Sequence, residues 1–332
     1  MLALLAAGCA SQPVLAPQLP EGRQAAPVEL TATPFFAQEQ YQCGPAALAT
    51  VLGASGVAVT PKALVERVYV PARKGSLQVE MLAASRRYGR LPYVIPRRLS
   101  ALLAEVRGGH PVLVLQNLAF NVWPVWHYAV VIGYRPQSDE LVLRSGVRRR
   151  EVVSAARFLA TWERAGRWGM VLLRPGQLPA EPRRTAYLEA AAALEAVGQT
   201  DAARRAYQAA LRLWPQSAIA WLGLGNTRYA EGDLDAAETA YREFLRRNPA
   251  SPIGHNNLGQ VLADQGCYRA ALTEIETGLG ELGAESELRD VLTETRAQIL
   301  AHRSAGSEPP GVLRSAHARR ARVSPRRGRW CR

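Results

Sequence analysis

Three glycines, Gly198, Gly232 and Gly266, stand 34 residues apart, and their surroundings keep the same step. Ala202, Ala236 and Ala270 repeat with it, as do Ala206 and Ala240, and Pro215 and Pro249. Glu274 breaks the second alanine series, and Gly283 takes the place of a third proline. A unit of this length is one helical hairpin, which cannot bury its apolar face alone and so stacks on its neighbours. Small alanines and glycines let paired helices approach, Trp221, Tyr229 and Tyr241 fill the gaps, and proline stops the second helix. The expectation is an all-α solenoid over residues 183–302: three repeats, closed by a capping helix from Glu285 to Ala301. Cys267 follows the turn glycine Gly266, a tolerant position, and is assigned no chemistry.

The run Trp221-Leu-Gly-Leu-Gly225-Asn-Thr-Arg-Tyr229, followed by Ala236, Ala240-Tyr241 and Pro249, resembles the tetratricopeptide repeat. That resemblance implies a binding scaffold, with a protein or extended peptide partner in the concave face.

Upstream, over residues 28–175, the periodicity is different. Val28 to Pro34 reads as a short opening strand. Cys43-Gly44-Pro45 then begins a helix, since proline is tolerated in a first turn where its missing N–H costs nothing. Ala46, Ala47, Leu48, Val51 and Leu52 supply its buried face, and Gly53 to Gly56 ends it. Ser76 is expected to cap a second helix reaching Tyr88, and Ser100 to begin a third that ends at Gly108-Gly109. From Pro111 the pattern becomes β-rich: Pro111–Gln116, His127–Tyr134, Leu141–Arg144 and Met170–Arg174, with a hairpin tip at Ser138-Asp139. Helices first and an antiparallel sheet second is an α+β arrangement.

Cysteine at a helix start suggests acyl transfer. The helix N-terminus contributes about half a positive charge, and a nearby imidazolium would stabilise the thiolate further, lowering its pKa by several units. Two histidines fall in this region. His110 sits in a Gly-Gly-His-Pro turn and is expected at the surface. His127, 84 residues after Cys43 and at the head of an apolar strand, is the expected base, able to pass a proton to a leaving amine. Gln38 can set its amide N–H beside the backbone N–H of Cys43, two donors for a tetrahedral oxyanion. Gln40 and Gln42 are alternatives for that role.

Together these segments resemble the papain-like cysteine peptidases of the bacteriocin-processing, double-glycine-leader (C39-like) type. The pattern is a glutamine, then Cys-Gly, then His-Tyr-x-Val at a strand start, then an Asp-Pro on the next strand. The resemblance implies Cys43 as nucleophile, His127 as general base, Gln38 as oxyanion donor, and a fold class of α+β papain-like domain followed by an all-α tetratricopeptide solenoid. The chain departs from the pattern at the acid, where Leu141-Val-Leu-Arg144-Ser145-Gly146 puts Ser145 at the third-member position. Between Tyr93 and Arg150 the carboxylates are Glu105, Asp139 and Glu140, the last two at the hairpin tip. The imidazole is therefore expected to be oriented by Ser145, a backbone carbonyl or water, and loss of an orienting acid costs orders of magnitude in serine triads.

At the amino terminus, the apolar run before Gly8-Cys9-Ala10-Ser11 resembles the end of a bacterial lipoprotein signal, with Cys9 as the lipidated residue. The true start is expected upstream, and Gln12 to Pro27 reads as a Pro-rich tether, so residues 1–27 form signal and tether. The neutral Ala10 and Ser11 suit outer-membrane export, facing the periplasm. No apolar run reaches the roughly 18 residues of a membrane span, so the expected membrane contact is the lipid on Cys9 alone. The net charge is +13, but residues 303–332 hold nine arginines and one glutamate, and they read as a disordered basic tail rather than a nucleic-acid interface. The four cysteines share no metal-ligand spacing, so neither metal nor cofactor is expected.

Three readings follow. The first is an envelope cysteine peptidase, cleaving peptide bonds through Cys43 and His127, with repeats that bind a polypeptide. The second is a catalytically weak or inactive papain-like domain serving with the repeats as an adaptor. The third is an amidase or transpeptidase acting on peptidoglycan peptides.

Overall fold

The computed structural model describes residues 12–283 and 286–305. The chain divides into two compact units, Met1–Val197 and Gly198–Arg332.

In the first unit β1 (Val28–Glu29) precedes α1 (Cys43–Ala54) and α2 (Pro61–Val68), then come β2 (Tyr69–Val70), β3 (Gly75–Ser76), α3 (Gln78–Arg87), β4 (Leu91–Val94) and α4 (Leu99–Arg107). The sheet-forming half follows: β5 (Val112–Asn117), β6 (Trp126–Arg135), β7 (Glu140–Ser145), β8 (Arg148–Ser154), α5 (Ala155–Arg164) and β9 (Gly169–Leu173), closed by α6 (Arg184–Ala196). The sheet is antiparallel in the order β4-β9-β5-β6-β7-β8, with β1 on β6 and β2-β3 as a separate ribbon.

One face of the sheet carries Leu113, Leu115, Tyr128, Val130, Ile132, Val142 and Met170. These pack with Leu48, Val51 and Leu52 of α1, Leu64 and Val68 of α2, and Met81 of α3. The alternation along β6 explains the division, because residues two apart share a face. On the opposite face α5 is joined to the sheet where Gln116 Nε2 donates to Thr161 Oγ1 at 2.6 Å.

Several expectations shift. Ser76 lies in β3, and α3 starts after Leu77 without a side-chain cap. The opening strand is two residues long, and it lies so close to Gly133 that a Cβ there would stand 2.3 Å from the Val28 carbonyl. Strand β8 was not anticipated, since Arg148-Arg149-Arg150 masks its pattern; it is an edge strand, where charge is favoured. Residues 12–27 are packed rather than trailing. Leu15 is fully buried, and the Asp139 carboxylate accepts from the N–H groups of Val14 and Leu15 at 2.7–3.1 Å. Helix α6 groups by its contacts with the first unit, where the Tyr187 hydroxyl donates to the Gln177 carbonyl at 2.8 Å, and the turn after it holds Gly198 at positive φ, as Gly232 and Gly266 are held later.

The second unit is a run of antiparallel helices: α7 (Thr200–Leu213), α8 (Ala218–Ala230), α9 (Leu234–Arg247), α10 (Pro252–Asp264), α11 (Tyr268–Gly280) and α12 (Leu288–Ala305). Each packs on the next, as a tetratricopeptide solenoid requires. The close approach is visible at Gly223 and Gly225 of α8. A Cβ there would stand 2.2 Å from the Tyr207 ring of α7 and 2.5 Å from the Tyr241 ring of α9, respectively. Gly232 and Gly266 hold positive φ in the turns between helices, which accounts for the 34-residue step.

Candidate functional site

Local sequence positions the thiol. Gln42 is the N-cap residue of α1, and Cys43 is its first helical residue. Gly44 has no substitute here, since a Cβ would lie 2.2 Å from Ser76 Oγ, where β3 crosses the helix start. Two residues before the cysteine, Tyr41 takes φ 62°, a left-handed backbone that costs about 1–3 kcal/mol for a non-glycine residue and clusters at functional sites. That turn, with Gln42 N–H donating to the Glu39 carbonyl at 3.0 Å, brings Gln38 back toward the sheet. The Gln38 N–H donates to the Gly146 carbonyl at 3.1 Å, joining this segment to the turn after Ser145.

His127 is the second residue of β6 and stands opposite Gln116 of β5. Its Nε2 lies 3.0 Å from Ser145 Oγ. The bond from Leu118 N–H to the Val125 carbonyl fixes which alternate residues of β6 pair with β5, and it leaves the Tyr128 N–H facing away from β5. On that other side the β6–β7 ladder begins only at Val130 and Arg144. Cys43 and Tyr128 line one recess on this side, where the backbone N–H groups of Tyr128, Gly44 and Cys43 favour the thiolate form of Cys43. The gap where β6 and β7 diverge is bridged by His127 and Ser145. Gln38, Arg144 and Ser145 line the same recess, together with Phe36. Gln40 is exposed, and Gln42 holds the N-cap position of α1 without a side-chain capping bond; of the three glutamines, Gln38 lines the recess. Its Oε1 is buried without a hydrogen-bond partner.

The electrostatics differ from the expected preformed ion pair. Burial pushes the Cys43 thiol above its ordinary value, outweighing the three N–H groups that favour the thiolate. Burial also lowers the His127 imidazole, opposed by the charge of Glu151. Both groups are therefore neutral at neutral pH. The helix-start charge is present, but desolvation wins.

The carboxylates considered from sequence are committed elsewhere. Glu105 is buried, bound to His110 Nδ1 at 2.8 Å and to the Ala180 N–H at 2.9 Å. His110 is accordingly half-buried in a structural pair rather than free at the surface. Asp139 holds Val14 and Leu15, and Glu140 accepts from Ser138 Oγ. Glu151 on β8 lies one residue beyond Arg150 and carries no sequence signal of its own. The three arginines before it read as a solvated edge.

The loop joining β5 to β6 exposes a crest of apolar side chains: Phe120, Val122 and Trp123 are 76–80% exposed, and Trp126 directly precedes His127. The crest is held by buried Asn117, whose Oδ1 accepts from Ala119 and Val125 N–H and whose Nδ2 donates to the Phe120 carbonyl.

Residues 30–170 match the model of the Peptidase_C39 like family. The first unit holds a C39-like peptidase domain. The tetratricopeptide repeat model matches residues 188–252 and 222–281. The C39-like domain is thus followed by tetratricopeptide repeats. No curated protein matches the chain. Among solved structures, a protein described as a C39-like peptidase from Bacillus anthracis is 16% identical, covering 45% of this chain and 98% of its own, at TM-score 0.38. The type III secretion translocator chaperone SycD of Yersinia enterocolitica is 19% identical over 36% of this chain and 83% of its own, at TM-score 0.34. The Sgt2 TPR domain from Aspergillus fumigatus is 21% identical over 42% and 92%, at TM-score 0.35. Cys9 lies outside the described residues, and no described helix is long and apolar enough to cross a membrane.

Proposed function

We propose that this protein is a cysteine peptidase of the cell envelope, in which Cys43 is the nucleophile and His127 the general base. The observation that carries the reading is one recess lined by Gln38, Cys43, Tyr128 and Ser145, in which Ser145 Oγ lies 3.0 Å from His127 Nε2. Ser145 Oγ accepts from Nε2–H, so the Nδ1 lone pair is free to take the thiol proton. Because both groups rest neutral, the proton moves as the sulfur attacks the scissile carbonyl. The oxyanion is held by the Cys43 N–H and the Gln38 amide, the imidazolium protonates the leaving amine, and water then releases the acyl group from sulfur. The apolar crest at Phe120 and Trp123 forms one wall for the substrate polypeptide. The tetratricopeptide repeats bind a protein or peptide partner, and a lipid on Cys9 holds the enzyme at the outer membrane, facing the periplasm.

Two observations favour the adaptor as a second reading: the raised thiol pKa and the serine at the acid position. One experiment separates them. Envelope peptides from cells carrying the wild type or Cys43→Ala are compared by mass spectrometry. Products that vanish with the thiol support the peptidase, and cross-linked or trimmed peptidoglycan stems identify the amidase or transpeptidase chemistry. Identical peptide profiles leave the adaptor.

A further inference from the structure

We propose that Glu151 is the carboxylate that orients and polarises His127, acting across Ser145 from strand β8 instead of from the third-member position on β7. This rests on the reading of His127 as the base. The β7–β8 ladder pairs Leu143 with Glu151, but pairs Ser145 with Arg148, so three residues of β8 span two of β7. An extra residue of this kind re-aims side chains and is common beside active sites. Residues opposite one another share a face, and Leu143 and Ser145 share theirs by the two-residue pleat. The bulge therefore puts Glu151 and Arg148 on the face that carries Ser145 and, through its hydrogen bond, the His127 ring. Arg148 Nη1 meets Glu151 Oε1 at 2.8 Å, and the glutamate side chain is only one-fifth exposed, so the carboxylate is held and partly shielded.

Among the described residues, Glu151 is the charge that acts on His127. Strand β7 offers the neutral Ser145, and β5 the neutral Gln116, whose amide is bound to Thr161 of α5. Arg164 of α5 is turned to the Asn117 carbonyl. Glu151 is the charge that raises the affinity of His127 for its proton against the effect of burial. A carboxylate one strand further out is weaker than a direct hydrogen-bonding acid. It still favours the imidazolium that forms during attack, and Arg148 tempers it. Glu151 is thus a positioning residue, not a catalytic one.

The test titrates the His127 Cε1 resonance by NMR in the full chain labelled at histidine, with assignment by His127→Asn. Glu151→Gln should lower the His127 midpoint by up to about one pH unit, no more than the smallest effect of an opposite charge in direct contact. Arg148→Ala, at a side chain 70% exposed, should raise it, and Glu151→Asp should restore part of the loss. Opposite signs from two neighbouring variants are not produced by damage to the fold. If both leave the midpoint in place, or move it in one direction, the assignment is overturned. No substrate is needed, so the result stands apart from whether the protein cleaves peptides.

Discussion

His127 Nε2 and Ser145 Oγ stand 3.0 Å apart, so the imidazole has a fixed partner that carries no charge. A hydroxyl can orient the ring and set its tautomer, but it cannot stabilise the imidazolium as a carboxylate would. Ser145→Asp should therefore raise the His127 pKa and increase kcat, while Ser145→Ala should lower kcat less than about tenfold, the worth of one neutral hydrogen bond. Peptide turnover across the three proteins measures both. A lower rate in Ser145→Asp would show that the β7 position is not the place for the acid in this chain.

The neutral resting state of the thiol predicts its reactivity. Alkylation of Cys43 by iodoacetamide should rise only above the ordinary thiol range near pH 8.5, without the acidic plateau of a preformed ion pair. The same shift acts on stability. A thiol whose pKa is raised by folding leaves stability intact at lower pH and erodes it as pH climbs past the unfolded value. His127, lowered by burial, works in the other direction, costing stability as pH falls below about 6.5. Alkylation and denaturation midpoints, each followed from pH 5 to 10 against Cys43→Ser, read the two effects.

Gln38→Ala removes one of two oxyanion donors while leaving the N–H of Cys43. The expected loss is about 10²–10³ in kcat with KM nearly unchanged, since the interaction belongs to the transition state. A change confined to KM would assign Gln38 to substrate binding instead.

Trp123→Ser, on the apolar crest, should do the reverse: raise KM for a polypeptide and leave kcat for a minimal peptide alone. Steady-state kinetics on long and short substrates distinguish the two, and an unchanged KM on the long one would remove the crest from the substrate wall.

In the repeats, Gly223→Ala forces a methyl to within 2.2 Å of the Tyr207 ring, which cannot withdraw because it is itself buried. Overpacking of this kind costs about 1–3 kcal/mol, visible as a lower melting temperature of the full chain.

The helical repeats were legible because each 34-residue unit restates the same local demands: a turn glycine, a small residue facing a ring, and a stop after the second helix. The helix opening at Cys43 was legible for a similar reason, since the Cys-Gly-Pro order leaves few other ways to start it. So was the sheet half, where β5, β6, β7 and β9 are short apolar runs between turns. Strand β8 escaped, as its arginines belong to an edge whose polarity imitates a loop, and Glu151 escaped with it.

Sequence alone determined which residue types are available for the chemistry and the order in which they are threaded, because those follow from composition, spacing and local backbone preference. The tertiary structure decided the rest. Only the register of β5, β6 and β7 leaves the gap beside Cys43, and only burial in the fold holds the thiol above its ordinary value and the imidazole below it. Only the bulge in β8 turns a glutamate toward the histidine's face. Each depends on strands distant in the chain, and no local pattern encodes how far a neighbouring strand has slipped.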